Sequence, residues 1–140
     1  MPGKFKTVAF DLGGVIFSGS NDTNIFCKNY LDTPLTQGIY EVLQTLKNRK
    51  DIKLIIVSKA FPNNAKRSRE CLTIHDIDMW FNSIIFCEKR ESKFPICQAM
   101  GVDIMIDDRQ DVLEHFDDSI RTILFTPEIV PQLLDMILGD

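Results

Sequence analysis

Short, predominantly apolar runs recur along the chain and indicate strands. They lie at residues 7–10, 52–57, 84–87, 103–106 and 122–125. Runs of this length that do not alternate strictly between apolar and polar positions are typical of strands buried on both faces of a parallel sheet. The segment 15–34 has no such regularity and predicts a hairpin or a flap.

Segments with helical spacing separate these runs. The clearest stripe has apolar residues at i, i+3, i+4 and i+7, namely Ile39, Val42, Leu43 and Leu46. A second helix, centred on residues 65–72, is predicted after Pro62, and further helices are predicted at residues 92–100, at 112–116 and from 127 to about 138. Because strands and helices alternate, we expect a three-layer, Rossmann-like α/β fold, in which a mostly parallel sheet carries helices on both faces.

Length and charge describe one domain and exclude some partners. The 140 residues are enough for one core, and two domains would not fit. With 16 basic against 20 acidic residues and a formal charge of −4, the chain is not expected to be a general nucleic-acid binder. The closest approach to a basic cluster, formed by Lys66, Arg67 and Arg69, is interpreted as the solvated side of a helix. We therefore expect a single domain over residues 1–140, with a flap at 15–34.

Cysteine usage and hydropathy indicate a compartment. The 4 cysteines lack a C-x-x-C pair, and with 2 histidines the chain offers no zinc-ligand spacing. Free buried thiols are typical of a reducing environment. No apolar run approaches the ~18 residues needed to span a bilayer, and the charged Asp11 comes too early for a signal peptide. These features predict a cytoplasmic protein that makes no membrane contact.

Polar residues follow several of the predicted strands directly. They are Asp11, Ser58 and the pair Asp107 and Asp108. The carboxyl ends of parallel strands share one edge of the sheet, which is where ligands bind in folds of this kind. Carboxylates brought together there repel one another unless a cation lies between them, and an all-oxygen ligand set suits Mg²⁺. A hydroxyl at Ser58 and an ammonium group at Lys93 suit the oxygens of a phosphate, so the set favours phosphoryl transfer.

Four short motifs stand in order along the chain. They are Phe10-Asp11-Leu12-Gly13-Gly14-Val15-Ile16, Val57-Ser58-Lys59, Lys93 and Ile106-Asp107-Asp108. The ordered set resembles that of the haloacid dehalogenase superfamily of phosphatases. Each motif alone is common, but the ordered set, in which three of the four follow strands, is specific and spans nearly the whole chain.

The resemblance implies a Mg²⁺-dependent phosphomonoester hydrolase that acts through an aspartyl-phosphate intermediate. Asp11 would be the nucleophile, and splitting the reaction at a covalent intermediate replaces one difficult step by two easier ones. The residues implied in holding the phosphoryl group are Ser58, Lys93, Leu12 and Gly13. The implied metal ligands are the Asp11 carboxylate, the Gly13 carbonyl and Asp108, with Asp107 acting through a water or a neighbouring group.

Gly13 is where the chain departs from the resemblance. Phosphatases of this family carry there an Asp that protonates the leaving oxygen and then activates water, and glycine can do neither. General acid–base catalysis contributes roughly 100- to 10,000-fold, so we expect slow hydrolysis of alkyl phosphates, whereas good leaving groups need less help. Asp22, in the predicted flap, is a candidate replacement acid. The alternative function is that of a catalytically silent domain that binds a phosphorylated ligand or a protein partner.

Some residues keep a second interpretation. Lys89 competes with Lys93 as the phosphate-binding lysine, and Ser58 would also suit a turn. Asp111 would either cap a short helix or support the metal indirectly, without coordinating it. Neither gap after the first two motifs has room for the cap domain that larger family members carry. We therefore expect an open site for a phosphorylated substrate of macromolecular or other bulky kind, or a site closed by a neighbouring subunit of an oligomer.

Overall fold

A five-stranded sheet forms the centre of the computed structural model, which describes residues 5–19 and 25–139. The strand order is β3-β2-β1-β4-β5, and every neighbouring pair is parallel. The strands are β1 (Lys6–Phe10), β2 (Ile52–Lys59), β3 (Ser83–Cys87), β4 (Ile104–Asp107) and β5 (Arg121–Leu124). The predicted α/β fold is confirmed, and the sheet of the described residues is wholly rather than mostly parallel.

Helices cover both faces of this sheet. They are α1 (Ile39–Lys47), α2 (Pro62–Ile74), α3 (Lys93–Ala99), α4 (Gln110–Leu113) and α5 (Val130–Leu138). Buried apolar residues of α1, α2 and α5 pack into one core cluster, whereas Cys97 of α3 and Leu113 of α4 pack into the other. The three-layer arrangement follows from this division. None of the described helices is both long enough and apolar enough to cross a bilayer.

The central strand β1 shows why its sequence is apolar throughout. Val8 and Phe10 face the cluster that contains α1, whereas Ala9 faces the cluster that contains α3. All three side chains are fully buried. Because both faces are covered, the strand cannot alternate with polar residues, and Asp11 is the first carboxylate after it.

Several element bounds differ from those predicted. Helix α2 spans Pro62–Ile74 around its predicted centre at residues 65–72, and it includes Pro62 rather than following it, because proline at the first turn loses no hydrogen bond and fits helical φ. Helix α4 is Gln110–Leu113 rather than 112–116. Strand β2 continues to Lys59, because Ser58 and Lys59 pair with Phe86 and Cys87 of β3. Ser58 is therefore a strand residue and does not form the turn that was its alternative.

The segment after β1 leaves the sheet edge and returns to it. The Phe17 N–H donates to the Leu12 carbonyl at 2.9 Å, which closes a tight turn. Beyond it, the Ser18 N–H donates to Pro34 at 2.9 Å and the Thr36 N–H to Ile16 at 2.8 Å, so the two arms meet at their base. Asp22 lies outside the described residues. The single domain with a flap over 15–34 stays a prediction.

Candidate active site

Carboxylates from two neighbouring strands converge at one edge of the sheet. Asp11 follows β1, Asp107 ends β4, and Asp108 comes next. Phe10 pairs with Ile106 across these strands, and the Asp11 N–H donates to the Ile106 carbonyl at 3.0 Å. One carboxylate oxygen from each of the three acids lies within 4.8 Å of the others. The parallel register therefore brings together residues almost a hundred positions apart in the sequence.

Lys93 reaches this acidic group from the first turn of α3. Its Nζ lies 2.7 Å from Asp107 Oδ2 and 3.4 Å from Asp11 Oδ1. The lysine is only 2% exposed, and Asp107 is fully buried, with its other oxygen accepting the Arg109 N–H at 3.0 Å. Lys89, in contrast, is exposed. The structure thus places Lys93, and not Lys89, beside Asp11.

Burial and mutual repulsion shift the ionisation of these groups. Burial raises the pKa of Asp11 to about 7, against the opposing influence of Lys93. Burial and the charge of Asp107 also raise the pKa of Asp108. Burial lowers the pKa of Lys93, but the carboxylates of Asp11 and Asp107 outweigh it and leave the pKa raised. One ammonium group thus faces an excess of carboxylate charge, which a hard divalent cation such as Mg²⁺ would neutralise.

Two glycines beside Asp11 have opposite steric surroundings. Gly14 has φ of 80°, and a Cβ there would collide with the Asp108 carboxylate. A side chain at Gly14 would therefore displace a candidate metal ligand. A Cβ at Gly13 would meet nothing within 4 Å. The position at which the sequence resemblance implies an acid is therefore open space in this protein.

A cleft of about 360 Å³ opens over the carboxylates. Among the residues predicted for the site, those that line it are Asp11, Gly13, Ser58, Lys93 and Asp108. Leu12 instead packs in the core with 2% exposure, and Asp107 lies beneath the cleft against Lys93. The Leu12 side chain therefore cannot contact a phosphate, and only its backbone could do so.

The cleft also has cationic residues that the sequence did not single out. They are Lys59, Arg90 and Arg109. Lys59 is the last residue of the motif Val57-Ser58-Lys59, and Arg109 directly follows Asp108, so the motifs could have revealed these two cations. Arg109 also pairs with Asp111, at 2.9 Å between Nη2 and Oδ2. Asp111 therefore holds an arginine in the first turn of α4, where the cap residue Arg109 makes no side-chain capping hydrogen bond.

The opposite wall belongs to the segment that returns from the predicted flap. Ile25 and Phe26 line the cleft there, and Arg67 of α2 donates to the Ile25 carbonyl at 3.0 Å. The Arg67 guanidinium also lies 4.8 Å from the ring centroid of Tyr30. The interpretation of Arg67 as part of a solvated helix face is therefore wrong, because this arginine holds the cleft wall against α2.

Replacing Lys93 with Met is expected to destabilise the protein by about 3–5 kcal/mol, because it leaves the buried carboxylates of Asp11 and Asp107 without their cation. Urea unfolding in the presence of EDTA measures this loss. The exposed Lys89 provides a matched control, since Lys89→Met is expected to stay within about 0.5 kcal/mol of the wild type. Equal free energies of unfolding for Lys93→Met and the wild type would contradict the role given to this pair.

Comparison with solved structures places the fold. A structure of a Pnkp1/Rnl/Hen1 complex aligns with a TM-score of 0.70 and 15% identity over 90% of this chain and 47% of that chain, so the protein spans about half its length. The HAD domain of the effector Lem4 from Legionella pneumophila aligns with a TM-score of 0.67 and 14% identity, over 96% and 94% of the two chains. A haloacid dehalogenase-like family hydrolase from Xanthomonas campestris aligns with a TM-score of 0.59 and 8% identity, over 96% of each.

Neither a family model nor a curated protein sequence matches the chain. The structural alignments have identities of 8–15%, and at that level they establish the fold alone. The protein has a haloacid dehalogenase-like fold, as the four ordered motifs predicted. What it does has to be argued from its own residues.

Proposed function

We propose that this protein is a Mg²⁺-dependent phosphomonoester hydrolase that acts through an aspartyl-phosphate intermediate. The observation that carries the proposal is the convergence of Asp11, Asp107 and Asp108, whose carboxylate oxygens lie within 4.8 Å of one another beside the Lys93 ammonium. This arrangement stands in a cleft with room for a phosphoryl group. It combines a nucleophile, a cation site and a fixed positive charge, which are the parts that phosphoryl transfer requires.

The residues present fit a magnesium ion. Asp11 and Asp108 would hold it together with the Gly13 carbonyl, and Asp107 would act through a water or a neighbouring group. The ion, when bound, would neutralise the carboxylate charge that Lys93 leaves unbalanced and would polarise a phosphoryl oxygen. Asp107 has a second task, because it holds the Lys93 ammonium at 2.7 Å.

The remaining steps belong to the side chains. The Asp11 carboxylate would attack the phosphorus atom in its ionised form, which Lys93 favours despite the burial that raises the Asp11 pKa. Lys93 and the Ser58 hydroxyl would hold the phosphoryl oxygens, with the backbone of residues 12 and 13 completing the contact. Ser58 is 6% exposed at the carboxyl end of β2, where it lines the same cleft as Asp11. Water would then hydrolyse the aspartyl phosphate.

The proposal is tested with p-nitrophenyl phosphate, whose leaving group needs no acid. We expect turnover with Mg²⁺, loss of turnover with EDTA, and recovery when Mg²⁺ is restored. Mg²⁺ alone is expected to stabilise the protein by about 2.7 kcal/mol at 100 times its dissociation constant. Asp108→Asn is expected to weaken that stabilisation, whereas Asp118→Asn, at an exposed acid outside the cleft, is expected to preserve it. If neither stability nor turnover changed on addition of Mg²⁺ or EDTA, this result would contradict the metal site.

A second candidate function is favoured by Gly13. Because a Cβ at this position would meet nothing within 4 Å, the structure provides space for an acid but no acid from this residue. A catalytically silent domain would use the same cleft to bind a phosphorylated ligand or protein partner. It predicts binding that depends on Mg²⁺ and no release of phosphate from p-nitrophenyl phosphate.

A further inference from the structure

Among the described residues, the cleft offers no carboxyl group or imidazole outside the candidate cation site that could protonate a leaving group. Its ionisable lining consists of the carboxylates Asp11 and Asp108 and of the cations Lys59, Arg90, Lys93 and Arg109. The carboxylates belong to the candidate cation site, and the space beside Gly13 is open. A leaving oxygen in this cleft would therefore receive no proton from a carboxyl group or imidazole of these residues, and ammonium and guanidinium groups are much weaker acids than suits general acid catalysis near pH 7.

This arrangement discriminates between classes of phosphate compound. An alkoxide leaving group is about as basic as hydroxide, so its conjugate acid is a very weak acid. A phosphate leaving group is far less basic, since the second pKa of a phosphate ester is about 6. A site without a general acid therefore suits a phosphoanhydride much better than an alkyl phosphate.

The unassigned cations of the cleft suit the same class of compound. Lys59 is the last residue of β2, directly after Ser58. Arg90 is the first residue of a short 3₁₀ turn, Arg90–Ser92, which leads into Lys93. Within residues 5–19 and 25–139, Arg90 forms no ion pair, whereas Arg109 is engaged by Asp111. Lys59 lies over the exposed Phe61 ring, 5.3 Å from its centroid, and also forms no ion pair with those residues.

The charges show why these two cations remain available. The three carboxylates of the candidate cation site are balanced by Lys93 together with a divalent ion. A phosphoryl group and any further phosphate would bring in negative charge beyond this balance. Arg90 and Lys59 stand at the same cleft to meet it, and a guanidinium group suits two oxygens of one phosphate.

We propose that the substrate is a phosphoanhydride, in which the transferred phosphoryl group is joined through oxygen to a second phosphate that Arg90 and Lys59 bind. This inference rests on the proposed function for its nucleophile, cation site and aspartyl-phosphate intermediate, and it replaces the phosphomonoester by a phosphoanhydride as the preferred substrate. The Asp11 carboxylate forms a bond to the terminal phosphorus, and the bond from phosphorus to the bridging oxygen breaks. The electron pair stays on that oxygen, which leaves as part of the second phosphate without being protonated. Water then attacks the phosphorus atom of the aspartyl phosphate. This step releases dihydrogen phosphate and regenerates the Asp11 carboxylate.

ADP and AMP provide a matched pair of probes, because they share a nucleoside and differ in the bond cleaved. With Mg²⁺, we expect kcat/KM for release of phosphate from ADP to exceed that from AMP by at least about 100-fold, the smaller end of the contribution of a general acid. Turnover of p-nitrophenyl phosphate with ADP cleaved no faster than AMP would overturn the inference and leave the proposed function standing. Lack of turnover with all three compounds would overturn the proposed function.

A binding measurement tests the subsite without turnover. Calorimetry is expected to show that methylenediphosphonate binds more tightly than methylphosphonate, and that Arg90→Ala or Lys59→Ala weakens the diphosphonate about tenfold, as for one lost charge-assisted contact. The exposed neighbour Lys89 does not line the cleft, so Lys89→Ala is expected to leave both affinities unchanged. Equal affinities of the wild type for both phosphonates, or full diphosphonate affinity in both alanine variants, would overturn the subsite.

Asp22 needs a separate test, because it is the candidate replacement acid and lies outside the described residues. We expect Asp22→Asn to leave the ratio of ADP to AMP turnover unchanged. A selective loss of AMP turnover in this variant would identify Asp22 as the acid and overturn the inference.

Discussion

Asp11→Asn is expected to abolish hydrolysis of p-nitrophenyl phosphate, lowering kcat by about a million-fold, which is the size of the loss when another covalent hydrolase is deprived of its nucleophile. The amide has nearly the shape of the carboxylate but cannot form the acyl phosphate. Release of p-nitrophenol at saturating substrate and Mg²⁺ measures the effect. Intact-mass analysis after acid quenching is expected to find a phosphorylated protein with the wild type only.

Two observations separate loss of the nucleophile from loss of the fold. Lys93 keeps its 2.7 Å contact with Asp107 when Asp11 becomes neutral, so the variant is expected to remain folded. Asp118→Asn makes the same chemical change at an exposed acid and is expected to retain full turnover. A folded Asp11→Asn protein with the wild-type rate would show that another group attacks phosphorus.

The positions of the candidate chemical groups could be predicted because they depend on local pattern. An apolar strand covered on both faces ends where the first polar residue stands, which located Asp11 after β1 and Asp107 at the end of β4. Parallel strands have their carboxyl ends at one edge, so convergence of Asp11 with Asp108 followed once the sheet was predicted to be parallel. Helix bounds were less predictable, since polar first turns such as that of α2 carry no apolar stripe.

The rest of the cleft depends on contacts that sequence spacing does not encode. Arg67 lies in a basic run that is typical of a solvated helix face, yet its guanidinium binds the Ile25 carbonyl, 42 residues away. Arg90 has no motif around it and reaches the cleft because a 3₁₀ turn precedes α3. Ser58 needed the register with Phe86 to be recognised as a strand residue. Each of these assignments depends on a contact with a part of the chain whose separation in sequence follows no fixed spacing.

Gly13→Asp is expected to raise kcat/KM for AMP by roughly 100- to 10,000-fold, because it restores a general acid and base at a position where a Cβ meets nothing within 4 Å. Hydrolysis of ADP is expected to change much less, since its leaving phosphate already departs without a proton. Phosphate release from ADP and from AMP is measured in parallel with Mg²⁺. The substitution is expected to lower the ratio of kcat/KM for ADP to kcat/KM for AMP.

The controls distinguish an acid from a filled space. Gly13→Asn has nearly the same shape without a dissociable proton, and Gly19→Asp adds a carboxyl group elsewhere on the cleft, where a Cβ also meets nothing within 4 Å. Neither is expected to accelerate AMP hydrolysis. A gain confined to Gly13→Asp means that the nucleophile, the cation site and the phosphate contacts are already competent and that position 13 selects the leaving group. If folded Gly13→Asp brings no gain and the wild type turns over no phosphate compound, the binding function is favoured over the hydrolase, because restoring the missing group would then have restored nothing.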